Sequence, residues 1–199
     1  MEFVDDRFPT HGSPPTHVLS FRRTSSHDAL TMKLLALALP FLAIAGSCST
    51  PPDSLPPNTR IDSLVVNKSD RSMTAYANGK LVRTYIIALG RSPEGDKQVQ
   101  GDMRTPEGLY TIDSKNPNSG YHKNLGVSYP TAEDRKEAKA LGKSPGGDIK
   151  VHGLPNGKGH IGKLHRLNDW TYGCIAVTDE EVDELYGAVE IGSPILIKP

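Results

Sequence analysis

Residues 151–177 read VHGLPNGKGHIGKLHRLNDWTYGCIAV, and the interpretation of the whole chain starts from this stretch. It contains three of the seven histidines, the only tryptophan and one of the two cysteines. A His-Gly pair near one end and a Gly-Cys pair near the other are joined by a glycine-rich connection. This layout is typical of a cysteine nucleophile served by a histidine base, because such a neighbour lowers the pKa of a thiol from about 8.5 to roughly 3.5–7.5. We therefore expect the rest of the chain to act as the scaffold of this pair.

Cys174 is the candidate nucleophile. Gly173 before it lets the backbone turn sharply, and such a turn brings substrate close to main-chain N–H groups. These N–H groups, at the start of the strand that follows, are therefore candidate donors of an oxyanion hole. The alternative is a buried cysteine that behaves as a small apolar residue.

Histidines supply the candidate bases. His152 is predicted to end a strand and is followed by Gly153. Its imidazole would take the thiol proton and later return it to a leaving amine; the alternative is a histidine that only caps the turn. His160 and His165 lie nearer to Cys174 in the sequence, and each is an alternative base or a group that orients the base.

Two further side chains stand just before the nucleophile. The carboxylate of Asp169 is a candidate partner for one of the imidazoles, or else it orders the loop. Trp170 is expected to cover the site or to pack under the loop. His160, His165 and Asp169 have ligand residue types but lack the HExxH spacing of zinc hydrolases, so we expect no metal. We expect no organic cofactor either.

Residues 32–48 have the layout of a secretory signal. A positive residue, Lys33, precedes an apolar run over Leu34–Ile44, and small residues follow. The run is shorter than the ~20 residues of a membrane-spanning helix, and a buried helix is the alternative. The ending Ala-Gly-Ser-Cys resembles a bacterial lipobox, which makes Cys48 a candidate lipidation site. Ordinary signal-peptidase cleavage near Ala45–Ser47 is the other alternative.

The signal divides the chain into four predicted parts. Residues 1–31 are interpreted as a spurious or disordered extension ahead of the true start, and 32–48 as the signal with its lipobox. Residues 49–60 are rich in proline and serine and form a linker. Residues 61–198 form one catalytic domain. The protein is thus expected to be exported to the periplasm or cell envelope and lipid-anchored to a membrane through Cys48.

Charge and cysteine content limit the classes of function that the sequence supports. The chain has 23 basic and 23 acidic side chains. It has no basic stripe or aromatic run, so nothing in it indicates nucleic-acid binding. In an oxidising compartment two cysteines can form a disulfide. If Cys48 is lipidated or cleaved away, Cys174 has no partner, and a lone exported thiol is a hazard unless it is used.

Short strands dominate the predicted secondary structure. Asn78-Gly79 between two apolar runs predicts a type I′ hairpin. The Asn-Pro-Asn-Ser-Gly punctuation predicts a loop over residues 115–130. Thr178 with Glu181 predicts a capping box that starts a helix. Pro194–Ile197 is predicted as an edge or closing strand. These patterns favour a mostly β domain with short peripheral helices.

Three ordered motifs resemble the L,D-transpeptidase (YkuD-type) catalytic domain. TPEGLY at 105–110 resembles the family's TPxG-aromatic start of a strand, VHG at 151–153 its strand-ending His-Gly, and TYGCI at 171–175 its Ser/Thr-His-Gly-Cys-Ile box. The match covers roughly residues 61–198. The resemblance implies an L,D-transpeptidase-like β-sandwich or barrel, a cysteine nucleophile and peptidoglycan stem peptides as substrate.

The resemblance also implies roles for individual residues. Cys174 becomes the nucleophile and His152 the general base and acid. The backbone of Tyr172, Gly173 and Cys174 becomes the candidate oxyanion hole, and Thr171, Tyr172 and Gly173 become oxyanion and substrate-binding positions.

Three departures from the family pattern bear on substrate recognition. Tyr172 stands where the family usually has His, and Ala176 where it usually has Arg, a residue suited to gripping a carboxylate. The gap from His152 to Cys174, 22 positions, is longer than usual because of the insertion containing HRLNDWT. The longer form HGLPNG…HR…DWT…GCIAVT resembles a subgroup of the same family.

The function expected from these residues is acyl transfer from the third residue of a stem peptide to an amine acceptor. The loss of Arg at position 176 leaves hydrolysis open, as an L,D-carboxypeptidase or amidase on the same stems. A third hypothesis is a non-catalytic wall-binding lipoprotein, and a zinc peptidase is a more distant one.

Overall fold

The computed structural model describes residues 54–199; the predicted extension, the signal and Cys48 lie outside that range. Eight strands run through the described part, together with two α-helices and one 3-10 segment. No helix within residues 54–199 is long and apolar enough to cross a membrane. The elements are β1 Ser63–Asn67, β2 Ser72–Ala77, β3 Lys80–Ile86, β4 Gly108–Ser119, β5 His122–Val127, α1 Ala132–Ala140, β6 Lys150–His152, the 3-10 segment Gly159–Leu167, β7 Ile175–Ala176, α2 Asp179–Ala188 and β8 Pro194–Lys198.

All eight strands belong to one sheet in the order β3-β2-β1-β8-β4-β5-β6-β7. β1 and β8 are parallel, as are β6 and β7, and the other neighbours are antiparallel. Every second residue of β1 is buried, as expected for a strand with one face on the core. The predicted mostly β fold with short peripheral helices is confirmed.

The β2–β3 turn forms as the sequence predicts. Asn78 and Gly79 have φ angles of 52° and 71°, the positive values that a type I′ turn requires at both central positions. The hairpin then pairs Ala77 with Lys80.

Two predictions about the sheet were wrong. Residues 115–130 are largely strand, because β4 continues to Ser119 and turns directly into β5. Irregular register between Asn116 and Ser119 accommodates the turn-forming residues within the pairing. Pro194–Ile197 is not at an edge: β8 lies between β1 and β4. Its proline is the first residue of the strand, where a missing N–H is tolerated.

The sheet curls until the segment after β3 reaches β7 at the opposite end. Ala88 and Ala176 exchange two backbone hydrogen bonds, of 3.0 and 2.8 Å between nitrogen and oxygen. The N–H of Thr171 donates to the carbonyl of Leu89, and the N–H of Arg91 donates to the carbonyl of Thr171, both at 3.1 Å. We call this meeting of residues 88–91 with 171–176 the closure contact. It turns the sheet into a half-barrel.

Helix α2 packs against the sheet and fills the core. Its N-terminus carries the predicted capping box: Thr178 accepts from the N–H of Glu181, and Glu181 accepts from the N–H of Thr178. Val182 and Leu185 on its inner face are fully buried. The largest buried side chains around them are Tyr85, Ile61, Leu64, Met73, Ile87, Leu89, Ile112, Leu125, Leu154, Ile175 and Ile195.

Glu181 also joins three elements through charge. Its carboxylate accepts from the guanidinium of Arg166 in the 3-10 segment, at 2.5 and 2.6 Å. Arg83 of β3 lies 3.9 Å from the same carboxylate and 3.1 Å from that of Glu184. Because Glu181 and Arg83 are buried, removing the carboxylate would leave buried cations facing a neutral group.

We expect Glu181→Gln to lower the free energy of unfolding by about 3 kcal/mol, because it keeps the size of the side chain but removes the charge that two guanidinium groups face. Urea denaturation measures the change. The control is Glu133→Gln, since Glu133 forms an exposed 3.0 Å pair with Lys136 and should cost less than about 1 kcal/mol. Equal losses in both variants would contradict the structural role of Glu181.

Candidate active site

One cavity of about 510 Å³ opens beside the end of β6. Cys174 and His152 both line it, together with side chains of the β4–β5 hairpin and of the loop before β7. The other lining residues are Arg91, Asn116, Asn118, Ser119, Gly120, Tyr121, Asn124, Asp148, Lys150, Pro155, Trp170, Thr171 and Tyr172.

Parallel pairing of β6 and β7 brings the two reactive residues to one side. Val151 pairs with Ile175 and His152 with Ala176, so Cys174 falls opposite Lys150. Side chains two residues apart on a strand point to the same face of the sheet. His152 and Cys174 therefore stand on the same face of adjacent chain segments, and both reach the cavity.

The imidazole of His152 is held in one tautomer. Its Nδ1 lies 2.6 Å from the carbonyl oxygen of Gly153, which can only accept, so Nδ1 carries the proton and Nε2 keeps its lone pair. Burial lowers the pKa of His152 below its ordinary value, and the charge of Lys150 acts in the same direction. The rings of Tyr121 and Trp170 pack around the imidazole, with centroids at 4.7 and 5.7 Å.

The thiol of Cys174 differs from the sequence-based expectation. Its sulfur donates to the carbonyl oxygen of Asp148 at 3.4 Å. Burial raises the pKa of the thiol, and the hydrogen bond and charge from Lys150 only partly oppose that effect. The expectation of a lowered thiol pKa is therefore wrong for the resting protein, since desolvation outweighs the favourable contacts.

The turn before the nucleophile is built by Thr171. Its hydroxyl donates to the carbonyl of Cys174 at 2.7 Å and accepts from the N–H of Gly173 at 3.1 Å. Gly173 has a φ of 128°, and a Cβ there would lie 2.5 Å from the carbonyl oxygen of Arg104, so only glycine fits. Because its N–H is already bonded, Gly173 does not present an oxyanion donor here. The N–H groups of Tyr172 and Cys174 remain the candidates.

Asp169 does not orient an imidazole, contrary to one of the two predicted roles. Its carboxylate pairs with the guanidinium of Arg71 at 2.8 Å and accepts from the N–H of Leu89 at 2.8 Å. It therefore orders the loop next to the closure contact, which was the alternative.

The other two candidate histidines, His160 and His165, are not among the residues that line the cavity. His165 is buried behind Trp170, whose indole N–H donates to its Nδ1 at 3.4 Å. Burial and the charge of Arg166 lower the pKa of His165 to about 4. His165 therefore lies beside Trp170 and outside the cavity lining that contains Cys174. His160 is exposed on the 3-10 segment. Within residues 54–199, no cluster of three or more His, Cys, Asp or Glu is placed to hold a metal ion.

Sequence reasoning missed several cavity residues. Asn124 is 5% exposed, pairs across strands with His152, and has no side-chain hydrogen bond within the described range. Tyr121 packs on the same imidazole. Both lie in the stretch predicted to be a loop, and only the antiparallel pairing of β5 with β6 brings them to the histidine. Arg91 comes from the other side, carried by the closure contact.

Curated relatives share much of this chain. YafK of Escherichia coli (strain K12) is 26% identical over 183 residues, which cover 83% of this chain and 67% of that protein. YqjB of Bacillus subtilis (strain 168) is 24% identical over 137 residues, which cover 67% of this chain and 69% of that protein. Both names carry the term L,D-transpeptidase.

Solved structures give a similar fold. The helical cell shape determining protein Pgp2 from Campylobacter jejuni matches with a TM-score of 0.51 and 27% identity. The match covers 71% of this chain and 48% of that structure, so the chain spans about half the length of Pgp2.

The family comparison covers the entire half-barrel. The sequence model described as the YkuD L,D-transpeptidase catalytic domain matches residues 61–197, which include all eight strands except the last residue of β8. This range contains the cavity, the His-Gly end of β6 and the Gly-Cys start of β7. The chain belongs to the YkuD family of L,D-transpeptidase catalytic domains.

Proposed function

We propose that the protein transfers acyl groups between peptidoglycan stem peptides, with Cys174 as the nucleophile and His152 as the general base and acid. The observation that carries the proposal is the parallel β6–β7 pair, which sets both side chains on one face at a single cavity. The Nε2 of His152 keeps its lone pair because Nδ1 is committed to Gly153. A proton can therefore be accepted at the nitrogen that remains free.

The proposed reaction has two acyl-transfer steps. As Cys174 attacks the carbonyl carbon of the third stem residue, its thiol proton passes to Nε2 of His152. The C–N bond to the fourth residue then breaks, and the imidazolium returns the proton to the departing amine. An acceptor amine next attacks the thioester and gives a proton to His152, and the sulfur leaves and is reprotonated.

The resting protonation states define how this reaction begins. A raised thiol pKa and a lowered imidazole pKa both favour a neutral thiol beside a neutral imidazole. The thiol donates to the carbonyl of Asp148, so its S–H bond must turn towards His152 when substrate enters. His152 then acts as a general base during attack, without a preformed thiolate.

The cavity suits a peptide substrate. Asn116, Asn118 and Asn124 line one side and offer amide donors and acceptors for peptide groups. The N–H groups of Tyr172 and Cys174 are proposed as donors to the oxyanion formed at the attacked carbonyl.

The proposed substrate requires an envelope location. The signal-like residues 32–48 supply a route of export, and lipidation at Cys48 would hold the domain at a membrane. Export also leaves Cys174 as the lone thiol of the mature protein, which supports its use in catalysis.

Cys174→Ala should abolish the formation of cross-linked muropeptides from purified tetrapeptide stems, because no thioester can form. His152→Gln should slow the reaction by about a hundredfold to ten-thousandfold, the usual contribution of a general acid–base group. Chromatography with mass analysis measures the products. His160→Gln is the control, since His160 is exposed outside the cavity lining. Unchanged products from Cys174→Ala would refute the proposal.

The same assay separates transfer from hydrolysis. With an acceptor amine present, we expect transfer products, and omitting the acceptor should suppress them. Release of the fourth residue at the same rate with and without acceptor would instead identify a hydrolase.

The pH dependence should reflect the neutral resting pair. Iodoacetamide should modify Cys174 slowly at pH 7 and faster as pH rises past the ordinary thiol pKa of about 8.5, because the thiol pKa is raised. Because the pKa of His152 is lowered, its imidazole stays unprotonated down to pH values below the ordinary histidine pKa. We therefore expect kcat/KM to fall only below about pH 6.5. A modification midpoint below pH 7 would indicate a preformed ion pair instead.

Cys48→Ser should move the exported protein from the detergent phase to the aqueous phase in a detergent-partition assay, because it removes the proposed lipidation site. Cys174→Ser is the matched control and should leave the partition unchanged. Detergent-phase recovery of Cys48→Ser equal to the wild type would contradict lipidation at this position.

A further inference from the structure

Arg91 is an exposed residue whose backbone belongs to the closure contact and whose side chain lines the cavity. Its N–H donates to the carbonyl of Thr171 at 3.1 Å, and its Nε donates to the carbonyl of Trp170 at 3.3 Å. Both acceptors belong to the loop that carries Cys174. The Nε atom of the guanidinium is thus hydrogen-bonded to the loop that carries Cys174, and the side chain lines the cavity.

The guanidinium of Arg91 lies over the ring of Tyr172, with its carbon 4.8 Å from the ring centroid. Stacking of an arginine on an aromatic face favours one orientation of its plane and of its terminal N–H groups. Tyr172 is 66% exposed and lines the same cavity, so the pair forms part of the wall. Within residues 54–199, no side-chain acceptor bonds the terminal nitrogens of Arg91.

Lys150 is the other cation among the described residues of the cavity lining. Its ammonium lies 3.5 Å from the carboxylate of Asp148, and that carboxylate is the single acidic group in the lining. Arg91 is therefore the lining cation that faces no carboxylate of the described chain. Its forked N–H groups are suited to bind a carboxylate of a ligand through two parallel hydrogen bonds.

Two departures from the family pattern fit this arrangement. Ala176 is completely buried, is bonded through its backbone to Ala88 and pairs with His152, so position 176 lies on the cavity face of β7 but supplies no charge there. Tyr172, at the position where His is usual, is the ring under Arg91. The cation missing at one position is thus replaced in the cavity by one from the opposite end of the sheet.

We propose that Arg91 and Tyr172 form a subsite that binds a free carboxylate of the stem peptide. This inference rests on the proposed function. Two carboxylates of a stem satisfy the chemistry: the terminal α-carboxylate of the fourth residue and the side-chain carboxylate of a third-residue diamino acid. Arg91 acts as a specificity residue and takes no part in proton transfer.

The test measures peptide binding to the full chain carrying Cys174→Ala, which cannot react. Isothermal titration compares the binding affinities of three peptides: a free-acid tetrapeptide stem, the same stem with its terminal carboxylate as an α-amide, and the same stem with its third-residue side-chain carboxylate as an amide. We expect one of the two amides to bind about tenfold to a hundredfold more weakly than the free acid, which identifies the carboxylate held. Adding Arg91→Ala should weaken binding of the free-acid peptide by the same factor. It should leave the binding of the more weakly bound amide unchanged.

Two further variants make the result specific. Arg91→Lys keeps the charge but loses the fork, so it should recover only part of the affinity for the free acid. Arg135→Ala removes an exposed arginine of α1 that does not line the cavity, and should change nothing. Equal effects of Arg91→Ala on acid and amide peptides, or no effect on either, would overturn the subsite while leaving the proposed function intact. Failure of all three peptides to bind would overturn both.

Discussion

The structure depends on how closely the backbone approaches itself at the closure contact. A Cβ on Gly90 would lie 2.1 Å from the carbonyl oxygen of Met103 and 3.1 Å from the Cα of Gly173 across the contact. Ala88 and Ala176 exchange their hydrogen bonds beside these glycines. A side chain at Gly90 would therefore press on the facing backbone of Gly173 and strain the closure contact. Small residues let the two ends of the sheet meet at this point.

The same contact organises the chemistry. The loop before β7 is bonded to residues 88–91 on one side, and β7 pairs with β6 on the other. Cys174 stands between these two attachments, so its backbone is fixed relative to both His152 and Arg91. The proposed nucleophile, the proposed base and the proposed carboxylate-binding cation then line one cavity, although they come from segments far apart in the chain. This arrangement is the kind of preorganisation that positions a substrate without ordering the site at each turnover.

Local signals in the sequence predicted local structure well. The Asn78-Gly79 turn and the Thr178–Glu181 capping box depend on a few neighbouring residues, and both formed as expected. The His-Gly and Gly-Cys pairs likewise pointed to the cavity. Contacts with residues distant in the chain were not predictable from the sequence. The carboxylate of Asp169 pairs with Arg71, and the turn-forming residues at 115–119 lie in strand β4. The sequence predicted a lowered pKa for the Cys174 thiol, whereas burial in the structure raises it. Burial is a property of the assembled cavity that the sequence motif does not encode.

A neutral resting thiol would give the protein a physical advantage in the export that we propose. The thiolate is the form that oxidants and disulfides attack, so a raised pKa protects the sulfur while the cavity is empty. In the proposed reaction, substrate compensates for the cost of ionising the thiol when the S–H bond turns from the carbonyl of Asp148 towards His152 and a substrate carbonyl is in place to be attacked. Binding contacts far from the sulfur, such as a carboxylate on Arg91, are well suited to hold the peptide during that change. In this view recognition and activation of the nucleophile are coupled, because the same loop carries Tyr172 and Cys174.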